Sequence, residues 1–193
     1  MNMEIIFATN NAHKLEEVRS VLGAKFKVLS LSDIGCNVEV EETSDTFEGN
    51  ALLKAQYVFE HYNRPCFSDD SGLEVDALFN APGVYSARYG GEHGNHEKNM
   101  DKLLNSLMGQ SNRKARFRTV LCYLNEVGEV HYFNGVVNGI ILSKKQGAAG
   151  FGYDPLFMPH GHNRTFAQMT PEAKNKISHR ALAVNELLNF LQP

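Results

Sequence analysis

Apolar positions along the chain fall into short blocks whose spacing alternates between strand-like and helical periods. Residues 4–9 read as a buried strand, and Asn10-Asn11 then opens a segment in which Leu15, Val18 and Leu22 recur at helical spacing. Residues 27–31 read as a second strand. From Thr46 onward Phe47, Ala51, Ala55, Val58 and Tyr62 mark another helical face, for which Asp45 or Thr46 offers the cap. Cys66-Phe67 and the strand-like residues 73–77 enclose the acidic run Ser68-Asp69-Asp70-Ser71-Gly72.

Turn-forming residues dominate the next stretch: Asn80-Ala81-Pro82-Gly83, then the polar residues 90–95, which read as a mobile loop. Leu103, Leu104 and Leu107 supply one side of a helix. Residues 116–124 and 130–142 are rich in aromatic and β-branched side chains, and 125–129 read as the hairpin turn joining them. Gly147, Gly150 and Gly152 precede Tyr153-Asp154-Pro155, where the backbone is expected to approach a ligand closely. Thr170-Pro171-Glu172 offers a cap and a first-turn proline, and Val184, Leu187, Leu188 and Leu191 form the buried stripe of the last helix. This mixture predicts an α/β fold with a mixed sheet, because the long hairpin interrupts strand–helix alternation. Strand order is not set by these patterns.

At 193 residues the chain suits one domain over 1–193, or two lobes sharing a core, with no internal repeat or linker. A formal charge of −3 and a pI near 6.2 give no global basic field for wrapping nucleic acid. A small anionic ligand fits better. No apolar run approaches the roughly 20 residues that span a bilayer, and no secretory leader is expected. Cys36, Cys66 and Cys122 are too few and too scattered for a disulfide framework or a cysteine zinc site, so the reduced cytoplasm is the expected compartment.

Candidate chemistry begins with Asp69 and Asp70, since adjacent carboxylates beside apolar sequence call for a compensating cation or proton. Hard oxygen ligands suit magnesium. If the strand runs through both, they project to opposite sides, so only one need face a substrate. An acidic turn before Gly72 is the plainer reading. Glu42 lies in a second acidic cluster that by default is a solvated edge strand.

Thr9, Asn10, Asn11, Ala12, His13 and Lys14 place backbone N–H groups and an ammonium at a strand-to-helix junction, where phosphate oxygens can bind. The P-loop pattern is absent, and an Asn-capped helix with an exposed lysine is the alternative. Phe151, Gly152, Tyr153 and Asp154 combine aromatic faces for stacking with a carboxylate that can bond a base edge, or form an aromatic-anchored turn. Lys174, His179 and Arg180 surround an expected helix start at Ser178, where a purine oxygen or phosphate would meet several donors; a surface lysine and a capping His-Arg pair is the structural alternative. The His93/His96 and His160/His162 pairs lack further zinc ligands. Together the clusters point to a metal-dependent enzyme acting on a phosphorylated substrate.

Five separated motifs carry a resemblance over nearly the whole chain. They are Phe7-Ala8-Thr9-Asn10-Asn11-Ala12-His13-Lys14-Leu15-Glu16-Glu17-Val18, the run from Thr46 to Ala55, Ser68-Asp69-Asp70-Ser71-Gly72-Leu73 with Ala81 to Tyr89, Gly150 to Phe157, and Lys174 to Ala181. In this order they resemble the Ham1-like inosine triphosphate pyrophosphatase family. The resemblance implies an elongated central mixed sheet flanked by helices, two lobes with a cleft between them, a homodimer, and hydrolysis of ITP, dITP or XTP to monophosphate and pyrophosphate.

By that resemblance Thr9, Asn11 and Lys14 hold the triphosphate, Lys54 adds positive charge, and Glu42 and Asp70 hold magnesium. Asp70 is also the implied proton acceptor, and Ser71 contacts substrate. Phe151, Gly152, Tyr153 and Asp154 frame the base, Lys174, His179 and Arg180 complete its recognition, and Arg88 is a further candidate. Two positions depart from the family pattern: Gly49, where many relatives carry an acid, and Asn10, where glycine is frequent. A Maf-like pyrophosphatase of different base preference and a non-catalytic nucleotide-binding module are the competing readings.

Overall fold

Side-chain alternation along the strands gives the sheet two apolar faces, and each face recruits its own helices. The computed structural model describes residues 3–192. In β1 (Met3–Phe7) Ile5 and Phe7 join one core and Ile6 another. The same alternation sets Phe67 of β3 (Cys66–Val75) against Cys66, and Leu121 and Tyr123 of β4 (Lys114–Leu124) against Cys122 and Leu124. Helix α1 (Ala12–Leu22) covers the Phe7 face with Val18 and Leu22, and the last helix, His179–Leu191, covers it with Ala183, Val184 and Leu187. Helix α2 (Phe47–Tyr62) covers the opposite face with Ala51, Ala55 and Val58. Phe7 and Phe67 stack at 4.6 Å.

With β2 (Phe26–Leu29), β5 (Val130–Ile141) and β6 (Phe157–Pro159), six strands form one sheet in the order β2-β1-β3-β4-β5-β6. β1 runs parallel to β2 and to β3, with Phe7 opposite Phe67, whereas β5 and β6 are antiparallel. The fold is therefore the α/β class with a mixed, helix-flanked sheet that the sequence predicts.

By packing, the chain forms two compact units. One takes the chain up to Asp70, Thr119–Gly135 and the chain from Arg180, and the other takes Ser71–Arg118 and Val136–His179. The cores just described belong to the first. The second has its own, in which Leu73 and Val75 meet Met100 and Leu103 of α3 (His96–Ser106) and the aromatic rings of Phe117, Tyr153, Phe157 and Phe166.

Several boundaries differ from the sequence pattern for local reasons. β2 ends at Leu29 because Asp33 accepts from both the N–H and the hydroxyl of Ser30, turning the chain into a 3-10 segment, Ser32–Ile34. The C-terminal helical region is two helices, α4 (Pro171–Asn175), capped by Thr170, and α5 (His179–Leu191). Residues 90–95 are tied by hydrogen bonds from Gly91 and Gly94 to the carbonyls of Arg88 and Ala87, and Gly90 donates to Asn99 at 2.5 Å. The three cysteines are buried thiols, and burial pushes Cys66 and Cys122 up to about 12. Among the described residues no helix is long and apolar enough to cross a membrane.

Candidate active site

The β1–α1 junction is built on side-chain caps. The Asn11 N–H donates to Thr9 Oγ1 and the Lys14 N–H to Asn11 Oδ1, both at 3.1 Å, so Asn11 caps α1 and Lys14 lies in its first turn. Asn10, Asn11, Ala12 and His13 are exposed and Thr9 is buried. Among the described non-glycine residues only Asn63, Phe79 and Asn80 take positive φ, so Asn10 occupies the loop with an ordinary backbone.

Lys14 reaches the third strand, where its ammonium donates to Asp69 Oδ1 at 2.9 Å. Asp69 is 1% exposed and also accepts from Arg180 through Nη2 at 3.1 Å and Nε at 3.3 Å. Arg180, at the head of α5, donates from Nη1 to Glu17 of α1. Burial works against ionisation of Asp69, but Lys14 and Arg180 outweigh it and hold the carboxyl far below its usual range. Burial pulls the Lys14 ammonium below its ordinary value in spite of Asp69.

The neighbouring Asp70 has the opposite fate. Burial lifts its carboxyl above the ordinary value and the Glu42 charge adds to that, against the pull of Lys54. Its Oδ2 accepts from Asn50 Nδ2 at 3.1 Å. Glu42 and Lys54 pair at 2.5 Å. Burial raises Glu42, but the Lys54 charge and hydrogen bond leave it below its usual value. For Lys54, burial is outweighed by Glu42, Asp70 and Asp69, which raise it. Lys14, Glu42, Lys54, Asp69, Asp70 and Arg180 thus form one charged group in the first unit, with both lysines held by carboxylates.

Among the described residues no three His, Cys, Asp or Glu side chains converge on a common metal position. The donor set nevertheless suits a hard cation: Glu42 and Asp70 are oxygen donors, the Glu42 charge adds to the rise at Asp70, and a positive charge there would relieve it. Magnesium in particular is bound through one or two carboxylates together with substrate phosphates.

The second unit gathers the aromatic candidates. Asp154, 2% exposed, accepts the Phe151 N–H at 3.0 Å and the Lys174 ammonium at 2.7 Å through the same oxygen. Lys174 Nζ also lies 4.9 Å from the Phe151 ring centroid. Gly150 has φ +76°, and a Cβ there would meet Asp154 Oδ2 at 2.1 Å, so the loop needs glycine. Gly152 has φ +64° with open space beside it. Tyr153 is buried and donates to the Ser86 carbonyl at 2.9 Å, and burial raises its phenol. His179 stacks on Phe117 at 4.6 Å. Ser71 continues β3 beyond Asp70, and Arg88 lies over the Tyr85 ring at 5.1 Å.

Three features escape the sequence patterns: Asp69 as a double ion-pair anchor, Glu17 as the second acceptor of Arg180, and Asn50 beside Asp70. Only Glu17 had a local clue, its i+3 spacing from Lys14 on one helical face.

The model of the Ham1 family matches residues 5–190. The chain is 52% identical over 189 residues to the dITP/XTP pyrophosphatase of Porphyromonas gingivalis, covering 97% of each, and 42% identical over 192 residues to that of Bacillus subtilis, covering 98% of this chain and 97% of that one. The solved structure of the Staphylococcus aureus Ham1 protein superposes with a TM-score of 0.89 at 42% identity over 98% of both chains, and that of a Coxiella burnetii HAM1 protein with 0.89 at 36%. Sequence and fold agree over the full length, and the chain belongs to the Ham1 family.

Proposed function

We propose that this protein hydrolyses non-standard purine nucleoside triphosphates, ITP, dITP and XTP, to the monophosphate and pyrophosphate, removing them from the nucleotide pool. The observation that carries this reading is the charged cluster in which Lys54 pairs with Glu42, Lys14 pairs with Asp69 and the Glu42 charge bears on Asp70, in a chain whose full-length relatives are dITP/XTP pyrophosphatases.

Thr9, Asn11, Lys14 and Lys54 take the phosphates, with Asn10, Ala12 and His13 completing the loop, and Ser71 and Arg88 add polar contacts. Glu42 and Asp70 are the residues that would hold Mg2+. Bound magnesium supplies charge neutralisation on phosphate oxygens. Asp70, whose carboxyl is held above its ordinary value, accepts the proton of the water that attacks the α-phosphorus, and pyrophosphate leaves. Lys14 and Lys54 stabilise charge on the leaving group.

Phe151 and Tyr153 frame the base, Gly152 lets it approach, and Asp154 fixes Lys174 for base recognition. His179 and Arg180, the latter fixed by Asp69 and Glu17, are the donors for the purine 6-oxo group, which adenine lacks. Three buried free thiols support a reducing, cytoplasmic setting, and a homodimer completes the proposal.

Steady-state pyrophosphate release from ITP, XTP, dITP, ATP and GTP, with and without magnesium, tests the reading. Magnesium-dependent release at a kcat/KM for ITP at least 10²-fold above ATP is expected. Preference for a pyrimidine nucleotide, or no turnover, would overturn it.

A further inference from the structure

Asn50 is fully buried in the first turn of α2, where an uncharged polar side chain must find partners for both ends of its amide. It finds them on two different segments. Its Oδ1 accepts the Ser44 N–H at 2.9 Å, and its Nδ2 donates to Asp70 Oδ2 at 3.1 Å. The backbone N–H of Ser44 can only donate, which fixes the amide orientation and obliges the NH2 group to face the carboxylate. Ser44 lies two residues after Glu42, and Asp70 lies in β3. One side chain therefore ties together the two segments that carry Glu42 and Asp70.

Helix α2 supports this brace from both sides. Lys54, one turn beyond Asn50, pairs with Glu42, so the helix touches the Glu42 segment at two points and Asp70 at one. The strand is pinned to the same helix by the Ser68 hydroxyl, which donates to the Ala51 carbonyl. A carboxylate offers about four lone-pair sites and the Asn50 amide bonds only Oδ2, so orienting the group in this way does not by itself use up its capacity to meet a cation.

We infer that Asn50 is a positioning residue that sets the distance and orientation of Glu42 and Asp70 relative to each other, and so fixes the strength of the divalent-cation site. The inference rests on the proposed pyrophosphatase reading and goes beyond it, since it gives a role to Asn50, whose amide bonds Ser44 and Asp70 and which lies outside the residues proposed to hold substrate and cation. A pair of carboxylates held by this brace binds a cation without first having to be ordered, whereas an unbraced pair meets that ordering cost on binding.

The experiment compares Asn50→Ala with Ser68→Ala, which removes a buried hydrogen bond between the same strand and the same helix but leaves the Asn50 brace intact. Mn2+ binding to the substrate-free proteins is read by EPR, thermal stability by calorimetry, and kinetics with ITP across a magnesium titration well below the melting temperatures. Asn50→Ala is expected to weaken Mn2+ binding and raise the magnesium midpoint about tenfold, and to lower kcat with KM for ITP at saturating magnesium within about twofold of wild type. Ser68→Ala is expected to lose stability while its Mn2+ affinity stays within about twofold of wild type.

Wild-type Mn2+ affinity in Asn50→Ala, or an equal loss of affinity in Ser68→Ala, would overturn the inference. Either result alongside magnesium-dependent pyrophosphate release by the wild-type enzyme leaves the functional reading standing. Absence of that release in the wild type removes the functional reading itself.

Discussion

Two neighbouring carboxylates in β3 differ by environment alone, and their contributions to stability have opposite signs. Asp69 is held below its unfolded value of about 3.9, so its contribution is fully present above about pH 4 and is lost as pH falls from there toward the folded value. Asp69→Asn leaves Arg180 and Lys14 buried beside a neutral amide, and a loss of about 3–5 kcal/mol at pH 7 is expected for breaking such a pair. Urea unfolding should show that gap narrowing below about pH 4. Asp70 is held above its unfolded value, so its neutral form is the one the fold favours, and stability declines as pH rises through the folded value. Asp70→Asn should therefore raise the melting temperature of the metal-free protein at pH 7 while cutting pyrophosphate release by about 10²–10⁴-fold. A variant less stable than wild type in EDTA would show that the carboxylate is not strained there. The sequence displayed the acidic pair but could not assign these fates, because the deciding partners lie 55 and 111 residues away from Asp69.

Helix α2 shows what local sequence reveals and what it hides. Its apolar stripe, Phe47, Ala51, Ala55 and Val58, and its Thr46 cap, which accepts the Gly49 N–H at 3.1 Å, are legible because both are encoded within a few residues. β6 and the 3-10 segment Phe166–Gln168 are not, since three residues carry no period. Gly49 reads as a missing acid beside a metal cluster, yet the structure gives it a packing role. A Cβ there would meet Ser44 Oγ at 2.0 Å and Ser44 Cβ at 2.6 Å. Replacing a helical glycine with alanine ordinarily gains about 1 kcal/mol. Here Gly49→Ala should instead destabilise, because Ser44 must move and its N–H is held by Asn50. Thermal melts should show a lower midpoint for Gly49→Ala and recovery in Gly49→Ala/Ser44→Gly, which removes the obstructing side chain. A single substitution that stabilises by the usual helical increment would mean that Ser44 yields without cost.

The chain passes from one compact unit to the other inside β3, β4 and β5 and again at the head of α5, so neither unit is a contiguous stretch of sequence. That is why no linker can be read along the chain: every crossing falls within a strand or at a helix start. The first unit would lose much of its core if the chain ended at Asp70. Phe7 and Phe67 would lose Leu121 and Tyr123 from β4 and Val184 and Leu187 from α5, all packed in the same cluster. Burying Leu121, Val184 and Leu187 is worth about 1.5–3 kcal/mol each, and a whole domain is stable by only about 5–15 kcal/mol. The electrostatics deepen the deficit, because Asp69 would keep Lys14 but lose Arg180. A fragment of residues 1–70, although it holds β1, β2, the first half of β3 and two α-helices, should therefore show no cooperative thermal transition by circular dichroism. If it melted cooperatively, the C-terminal helix and β4 would be additions to a self-sufficient nucleus, and removing Arg180 with α5 would disturb the charged site without unfolding the unit that carries it.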